Sequence, residues 1–304
     1  MRGPCEGAIG ISDDVTLHGK GEGNHDERLH AAMEKTRVSN LCLNYDKLLI
    51  KQKSVNFFGN IYSADGVRAD PKKVAAITAM RPPECKSEVK SFLGMVNYLQ
   101  RFIPRLSEHT KLLRGLERKG VHFSWNDDCQ IAFEKIKSLV ADDMLLAYYD
   151  RKKPVTLQCD YSENGIGVAL VQEGRPVQFA SKALVNAEGD YSPIEGEMLG
   201  VVFGIKKFHH YLYGRKFTVE CDHKPLHHIQ RKNISLAPPR LRGMLRSVAD
   251  YDYTLVHRPG REMVLPDALS RLSQVDKEEV LGTNVRVHEL IDRRQPVTLG
   301  ALAG

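Results

Sequence analysis

Strand-like and helix-like segments alternate between residues 151 and 272, and this order is the strongest constraint on the fold. Residues 155–160 alternate apolar and polar side chains, which predicts a strand whose Val155, Leu157 and Cys159 face inward. Further strands are predicted at 167–172, 176–181, 217–222 and 253–257, and helices at 193–212, at 239–249 and after Pro266. A meander of three strands followed by this alternation predicts an α/β fold, a mixed sheet with helices packed against it.

Two of the predicted strands end on an aspartate. The segments VTLQCD (155–160) and FTVECD (217–222) share one pattern and end on Asp160 and Asp222. Open α/β sheets place their sites at one edge, so we expect the two carboxylates to meet there. The alternative for each residue is a turn aspartate with no chemical role.

The helix after Ser192 offers two competing acids. With Ser192 as N-cap and Pro193 at the first helical position, Glu195 falls where a capping box needs its glutamate. Residues two apart on a helix point to different sides, so only one of the two acids can face the site. We therefore predict a structural role for Glu195 and a functional one for Glu197.

A fourth acid and a histidine complete the candidate site. Asp267 lies at the start of the last predicted helix, and His257 ends the last strand. Four carboxylates in one α/β domain can hold two divalent cations, and oxygen ligands favour Mg²⁺ or Mn²⁺. His257 can move a proton near such a site, although a purely structural histidine is an equal alternative.

Positive charge is concentrated in one stretch of the chain. The 304 residues carry a net charge of +6, but residues 201–246 hold ten basic and only two acidic side chains. A basic stripe beside carboxylates suits an enzyme that acts on a polyanion such as nucleic acid, whereas a basic run alone is usually a solvated face. The candidate nucleic-acid-binding residues are Lys206, Lys207, Arg215, Lys224, Arg231, Lys232, Arg240 and Arg242.

Several other classes of protein are disfavoured. The sequence has no run of 18 apolar residues and no apolar segment at its N-terminus, so we expect neither a membrane span nor a signal peptide. Six widely spaced cysteines predict reduced thiols rather than a zinc module or a disulfide framework. These features predict an intracellular protein, cytoplasmic or nuclear.

The first half of the chain predicts a hairpin and then helices. Residues 8–12 and 15–17 read as paired strands, followed by a helix from His25 to Val38 and a second hairpin turning at Gly59. A half-buried helix capped by Ser87 is expected to end at Pro104, and another helix follows Asn126.

A set of motifs carries a family resemblance from about residue 8 to residue 272. The motifs are Ser12-Asp13-Asp14, KSFLGMVNYLQRFIP (90–104), FSWNDDCQIAFEKIK (123–137), DYSENGIGVAL (160–170), YSPIEGEMLGVVFGIKKFHHYLYG (191–214), CDHKPL (221–226) and HRPGREMVLPDALSRL (257–272). In this order they resemble the reverse transcriptase and ribonuclease H region of the Pol polyprotein of gypsy-type LTR retrotransposons.

The resemblance implies a ribonuclease H-like mixed five-stranded sheet with flanking helices, preceded by a partial polymerase palm and a helical thumb and connection. It implies that Asp160, Glu197, Asp222 and Asp267 are the catalytic acids, and that the substrate is the RNA of an RNA–DNA hybrid. The implied parts are a palm remnant (1–65), a thumb-like region (66–118), a connection (119–150), the ribonuclease H-like domain (151–272) and a linker (273–304).

The resemblance to a polymerase is incomplete. Asp13 and Asp14 match the paired metal-binding acids of the palm, but Ile11 stands at the aromatic position before them, and the earlier palm strand and the fingers have no counterpart. We therefore expect no DNA synthesis, and regard the missing fingers, palm and integrase as partner parts of a longer polyprotein.

Two functions of different classes remain open. The first is a metal-dependent ribonuclease H, favoured by the presence of all four acids. The second is a catalytically silent nucleic-acid-binding remnant, favoured by the incomplete palm.

Overall fold

The structure is a computed structural model that describes residues 6–11, 13–184, 188, 191–222, 237–259 and 262–263. The predicted linker 273–304, together with Asp267, Lys224, Arg231 and Lys232, lies outside these residues. The chain divides into two compact units, with the division between Phe57 and Phe58.

The first unit begins with the predicted hairpin. Strands β1 (Ala8–Ile11) and β2 (Asp14–Leu17) pair antiparallel with Ile11 opposite Asp14, which confirms the hairpin. Asp13 and Asp14 are exposed at its turn. Helix α1 (Glu22–Val38) starts three residues earlier than predicted, and none of its residues is buried. A 3₁₀ turn (Tyr45–Lys47) and strand β3 (Ser54–Phe57) complete the described part of this unit.

The second unit opens with short strands and a series of helices. Strands β4 (Asn60–Ser63) and β5 (Val67–Ala69) pair antiparallel. The helices that follow are α2 (Pro71–Thr78), α3 (Lys86–Tyr98), a 3₁₀ turn (Gln100–Phe102), α4 (Leu106–Leu116) and α5 (Asp127–Ala141).

In this series of helices, two sequence-based boundaries are wrong and one is confirmed. Helix α3 is capped at Cys85 rather than Ser87, because Ser87 already lies in the first turn and its Oγ is 3.0 Å from Cys85 Sγ. The same helix ends at Tyr98 rather than at Pro104, since the 3₁₀ turn intervenes. The predicted N-cap of α5 is confirmed: the Asn126 side chain accepts a hydrogen bond from the Cys129 backbone N–H at 3.0 Å.

A mixed five-stranded sheet forms the centre of the second unit, as the sequence predicts. Three strands form an antiparallel meander, and two further strands extend it in parallel on the β6 side, in the order β10-β9-β6-β7-β8. The strands are β6 (Thr156–Ser162), β7 (Gly165–Gln172), β8 (Arg175–Ala183), β9 (Phe217–Cys221) and β10 (Tyr253–His257). The interspersed helices are α6 (Pro193–Lys207), α7 (His209–Leu212) and α8 (Pro239–Arg246).

Both faces of this sheet are covered, which the alternating pattern of residues 155–160 did not predict. All eight residues of β7 are buried, and Gln158 on β6 is only 2% exposed. Val168 and Leu170 pack in one hydrophobic cluster with residues of α6 and α8, whereas Ala169 and Val171 pack in a second cluster with residues of α3, α4 and α5. Successive residues of a strand point to opposite faces, so β7 is held between two layers of helices.

The predicted boundaries at residues 118 and 150 therefore do not separate compact units, because residues 58–150 and the sheet belong to the same unit. The names thumb and connection for these segments stay predictions. Among the residues that the structure describes, there is no helix of the length and apolar character needed to span a bilayer.

Candidate active site at the carboxyl edge of the sheet

Asp160 and Asp222 leave the sheet at the same level. Strands β6 and β9 are parallel, and their last paired residues are Cys159 and Cys221. Asp160 and Asp222 are the residues that directly follow this last pair, so both lie at the carboxyl edge where the sequence predicted them. The carboxyl ends of parallel strands are the usual location of sites in such sheets.

Glu197 is the buried acid of the site. It lies on α6 with 8% of its surface exposed, and its Oε2 has no hydrogen-bond partner within the described part of the chain. Its pKa is raised to about 7, chiefly by burial and also by the negative charge of Asp222, while the positive charge of Arg105 opposes the rise. Asp222 and Arg105 therefore both lie near enough to Glu197 to influence its carboxyl.

Glu195 has the structural role that the sequence predicted. It forms the capping box of α6, and its Oε2 accepts a hydrogen bond from the Ser192 backbone N–H at 3.1 Å. This hydrogen bond is the main cause of the lowered pKa of Glu195. Arg240 Nη1 lies 3.3 Å from the same oxygen, so Glu195 is committed to the helix start.

His257 is positioned against Asp222. Its Nε2 lies 3.4 Å from Asp222 Oδ1, at the end of β10. One residue further on, Arg258 Nη1 donates to Glu220 Oε1 at 2.9 Å, and Gln158 Nε2 donates to Glu220 Oε2 at 2.8 Å. Gln158 and Glu220 lie two residues before Asp160 and Asp222, so this hydrogen-bonded bridge joins the strands directly below the acids.

Arg105 is a site residue that sequence reasoning missed. It forms an ion pair with Asp160, although 55 positions separate the two residues in the sequence. Arg105 is the residue before α4 and has a left-handed backbone conformation, with φ 51° and ψ 25°. No local sequence pattern predicts this ion pair, because it depends on how α4 packs against the sheet.

The predicted basic stripe divides into two kinds of residue. Lys206 and Lys207 are exposed at the end of α6. Three of the four described arginines of the stripe instead have partners within the protein. Arg215 donates to the Tyr149 hydroxyl and the Lys153 carbonyl, Arg240 pairs with Glu195, and Arg242 donates to the Ala237 carbonyl. For Arg215, which is half-buried, these bonds favour a structural role over contact with nucleic acid.

The acids fit a hard divalent cation in their chemistry. Asp160, Glu197 and Asp222 supply carboxylate oxygens, and the unpartnered, buried Oε2 of Glu197 is an oxygen that a cation would satisfy. The described residues do not, however, contain a group of three or more His, Cys, Asp or Glu side chains close enough together to hold a metal ion. Within this partial cradle the guanidinium of Arg105 is the cation that contacts Asp160.

Comparison with known proteins relates part of this chain to the RNase H-like domains of reverse transcriptases. Residues 125–219 match the family model described as the RNase H-like domain found in reverse transcriptase. The fold agrees: the foamy viral protease-reverse transcriptase in complex with an RNA/DNA hybrid superposes with a TM-score of 0.73 over 96% of this chain and 38% of that chain, at 19% identity. The dRH form of the foamy viral protease-reverse transcriptase, in complex with double-stranded DNA, superposes with a TM-score of 0.74. The superposition covers 83% of this chain and 46% of that chain, also at 19% identity.

The relatives then define the kind of protein more narrowly. The chain is 33% identical over 264 residues to the retrovirus-related Pol polyprotein from transposon 297 of Drosophila melanogaster, covering 86% of this chain and 24% of that protein. It is 31% identical over 273 residues to the retrovirus-related Pol polyprotein from transposon gypsy of the same organism, covering 85% of this chain and 26% of that protein. The chain is thus a homologue of gypsy-type Pol polyproteins and spans about a quarter of their length, which confirms the resemblance seen in the sequence.

Proposed function

We propose that this chain is a metal-dependent ribonuclease H that hydrolyses the RNA strand of RNA–DNA hybrids. The observation that carries the proposal is the buried carboxyl of Glu197, which is influenced by the charge of Asp222 at the sheet edge where Asp160 and Asp222 follow the last residues paired between β6 and β9. A carboxyl with a perturbed pKa beside further acids at a sheet edge is typical of a catalytic site. The RNase H-like family of the chain and the nucleic-acid complexes of its structural neighbours support the same reaction.

In this proposal Asp160, Glu197 and Asp222, together with Asp267, hold two Mg²⁺ or Mn²⁺ ions. When bound, two such ions activate a water molecule and stabilise the leaving oxygen of a phosphodiester. The protein orients the carboxylates through the Arg258–Glu220–Gln158 bridge below them. His257, held by Asp222, exchanges a proton at Nε2 beside the site.

The test is cleavage of a labelled RNA–DNA hybrid by the purified chain with Mg²⁺, with Mn²⁺ and with a chelator. Asp160→Asn and Glu197→Gln should each abolish metal-dependent cleavage while hybrid binding persists. Each substitution removes a metal ligand but leaves the contacts with the phosphates in place. Glu195→Gln is the matched control, since Gln also serves a capping box, and it should cleave nearly as the parent does. Normal cleavage by Asp160→Asn would exclude the proposed site.

A catalytically silent nucleic-acid-binding protein is the second candidate. It is favoured by the Arg105–Asp160 ion pair and by the lack of an assembled metal-holding group within the described ranges. Binding of the hybrid by folded protein, with no cleavage in either metal, would establish this function instead. Primer extension on an RNA template would detect the polymerase activity that we do not expect.

A further inference from the structure

Arg105 places a positive charge within the acid cluster of the second unit. Its guanidinium contacts Asp160 Oδ2, and its charge also acts on Glu197, whose pKa it lowers. Arg105 therefore influences two of the three described acids from one position. A side-chain cation thus lies where the proposed function requires divalent cations.

The backbone of Arg105 is fixed by its surroundings. Ile103 and Leu106, which flank Pro104 and Arg105, are each only 2% exposed. Helix α4 is then fastened to the sheet at its first turn. The Ser107 backbone N–H donates to Ser181 Oγ at 2.9 Å, and Ser162 Oγ donates to Glu108 Oε1 at 2.9 Å. The proximity of Arg105 to Asp160 is therefore a property of how α4 docks on β6, β7 and β8.

The side chain of Arg105 has more freedom than its backbone. It remains 31% exposed, and its Nε has no hydrogen-bond partner in the part of the chain that the structure describes. An arginine cannot lose its charge near neutral pH, so its positive charge can leave the acids only if the side chain turns away. A divalent cation on Asp160 would repel the guanidinium strongly in this partly buried place.

We propose that Arg105 is a displaceable counter-cation of Asp160, which neutralises the acid cluster in the absence of metal and must turn away when a divalent cation binds. The proposal rests on the proposed function, because it assigns Asp160 to a metal site. It makes Arg105 a positioning residue that weakens the binding of the first cation and stabilises the metal-free protein. Metal binding and the rotamer of Arg105 are then coupled.

The test measures metal binding rather than cleavage. Free Mn²⁺ is quantified by electron paramagnetic resonance during titration of the full chain and its Arg105→Met, Asp160→Asn and doubly substituted variants. Arg105→Met should bind Mn²⁺ about tenfold more tightly, within the usual range of such couplings. The gain should shrink in the Asp160→Asn background, as a double-mutant cycle requires for a direct pair.

Arg114→Met is the matched control. It removes the same charge nine positions further on, within α4, where Arg114 Nε donates to Thr110 Oγ1 and contacts none of the three described acids of the site, so the affinity for Mn²⁺ should stay as in the parent. Arg105→Lys retains the charge and should resemble the parent more closely than Arg105→Met does. Should Arg105→Met not fold, the parent chain still tests the proposal, because the ¹⁵Nε–H resonance of Arg105 should shift as Mg²⁺ is added.

The outcomes separate this inference from the proposed function. Equal Mn²⁺ affinity in the parent and Arg105→Met, or an Arg105 resonance that stays in place while Mg²⁺ binds, overturns the inference and leaves the nuclease intact. If the folded parent and Arg105→Met both fail to bind Mn²⁺, the proposed metal-dependent function falls and the inference falls with it.

Discussion

Glu195 and Glu197 lie two residues apart on α6 and occupy opposite environments. The hydrogen bond from Ser192 lowers the pKa of Glu195, whereas burial raises the pKa of Glu197 to about 7. One helix turn thus holds an acid that is ionised throughout the neutral range and another that takes up a proton there. A group that titrates near the working pH is suited to exchange its proton for a metal ion.

The raised pKa of Glu197 predicts how stability changes with pH. The folded state holds a proton on Glu197 up to about pH 7, whereas the unfolded chain releases it near pH 4.5, so the free energy of unfolding should fall as pH rises through this interval. The loss attributable to Glu197 is up to about 3 kcal/mol, since each pKa unit corresponds to about 1.4 kcal/mol. Urea denaturation of the metal-free protein between pH 4.5 and 8 measures it.

Two variants control this experiment. Glu197→Gln should flatten the decline, because it removes the titrating group. Glu195→Gln should retain the decline, because the pKa of Glu195 is lowered rather than raised. A decline of the same size in Glu197→Gln and the parent would assign the pH dependence to another group.

Residues of the site differ in how far the sequence could predict them. Asp160, Asp222 and Glu197 were predictable because each follows a local pattern, either the end of a strand or the flank of a capped helix. Arg105 was not predictable, because its contact with Asp160 is set by the docking of α4 on the sheet. Arg215 and Arg240 of the basic stripe show the same limit, since their partners Tyr149 and Glu195 come from distant segments.

At the scale of elements, α6 approaches the sheet closely through a glycine. A Cβ on Gly204 would lie 3.0 Å from Leu157 Cδ2 and 3.2 Å from Val168 Cγ1, and both neighbours are fully buried. Glycine therefore allows the helix that carries Glu197 to lie flat on β6 and β7. Closer to the site, a Cβ on Gly196 would collide with the ring of Tyr161.

Gly204→Ala should consequently destabilise the protein even though alanine is the better helix former. The crowding against Leu157 and Val168 should exceed the propensity gain of up to about 1 kcal/mol. The matched control is Gly94→Ala within α3, where the added Cβ meets nothing within 4 Å and should stabilise by about 0.5–1 kcal/mol. Thermal unfolding of both variants shows whether each substitution stabilises or destabilises the protein. A stabilised Gly204→Ala would show that α6 can move away from the sheet to accommodate the added Cβ.

Elements were predicted best where local chemistry determines them. The N-cap Asn126 and the capping box of α6 depend on neighbouring residues and are confirmed. The alternation in residues 155–160 was misleading about exposure, because polar Gln158 is only 2% exposed and lies opposite Ala169, which packs in the cluster with α3, α4 and α5. A pattern in one strand carries no information about a layer formed by α3, α4 and α5, which are separate segments of the chain.

At the scale of the whole molecule, the second unit has a core on each face of one sheet. The cluster formed by α3, α4 and α5 includes Ala169, Val171 and Phe179 of the sheet. The cluster on the other face includes Cys159, Val168 and Leu170 together with residues of α6 and α8. Segments that the resemblance assigns to thumb and connection therefore contribute directly to the stability of the sheet that carries the acids.

The complete burial of β7 has a consequence for hydrogen exchange. An amide in a strand that is paired on both sides and covered on both faces exchanges only when the surrounding unit opens as a whole. Deuterium should therefore reach the β7 amides last, and their exchange rate should report the free energy of global unfolding. Helix α1, which has no buried residue, should exchange far faster. Mass spectrometry of peptides from Gly165–Gln172 and Glu22–Val38 compares the two, and equal rates would contradict this expectation. The rate of deuterium uptake by β7 then reports how often the five-stranded sheet that carries Asp160 opens.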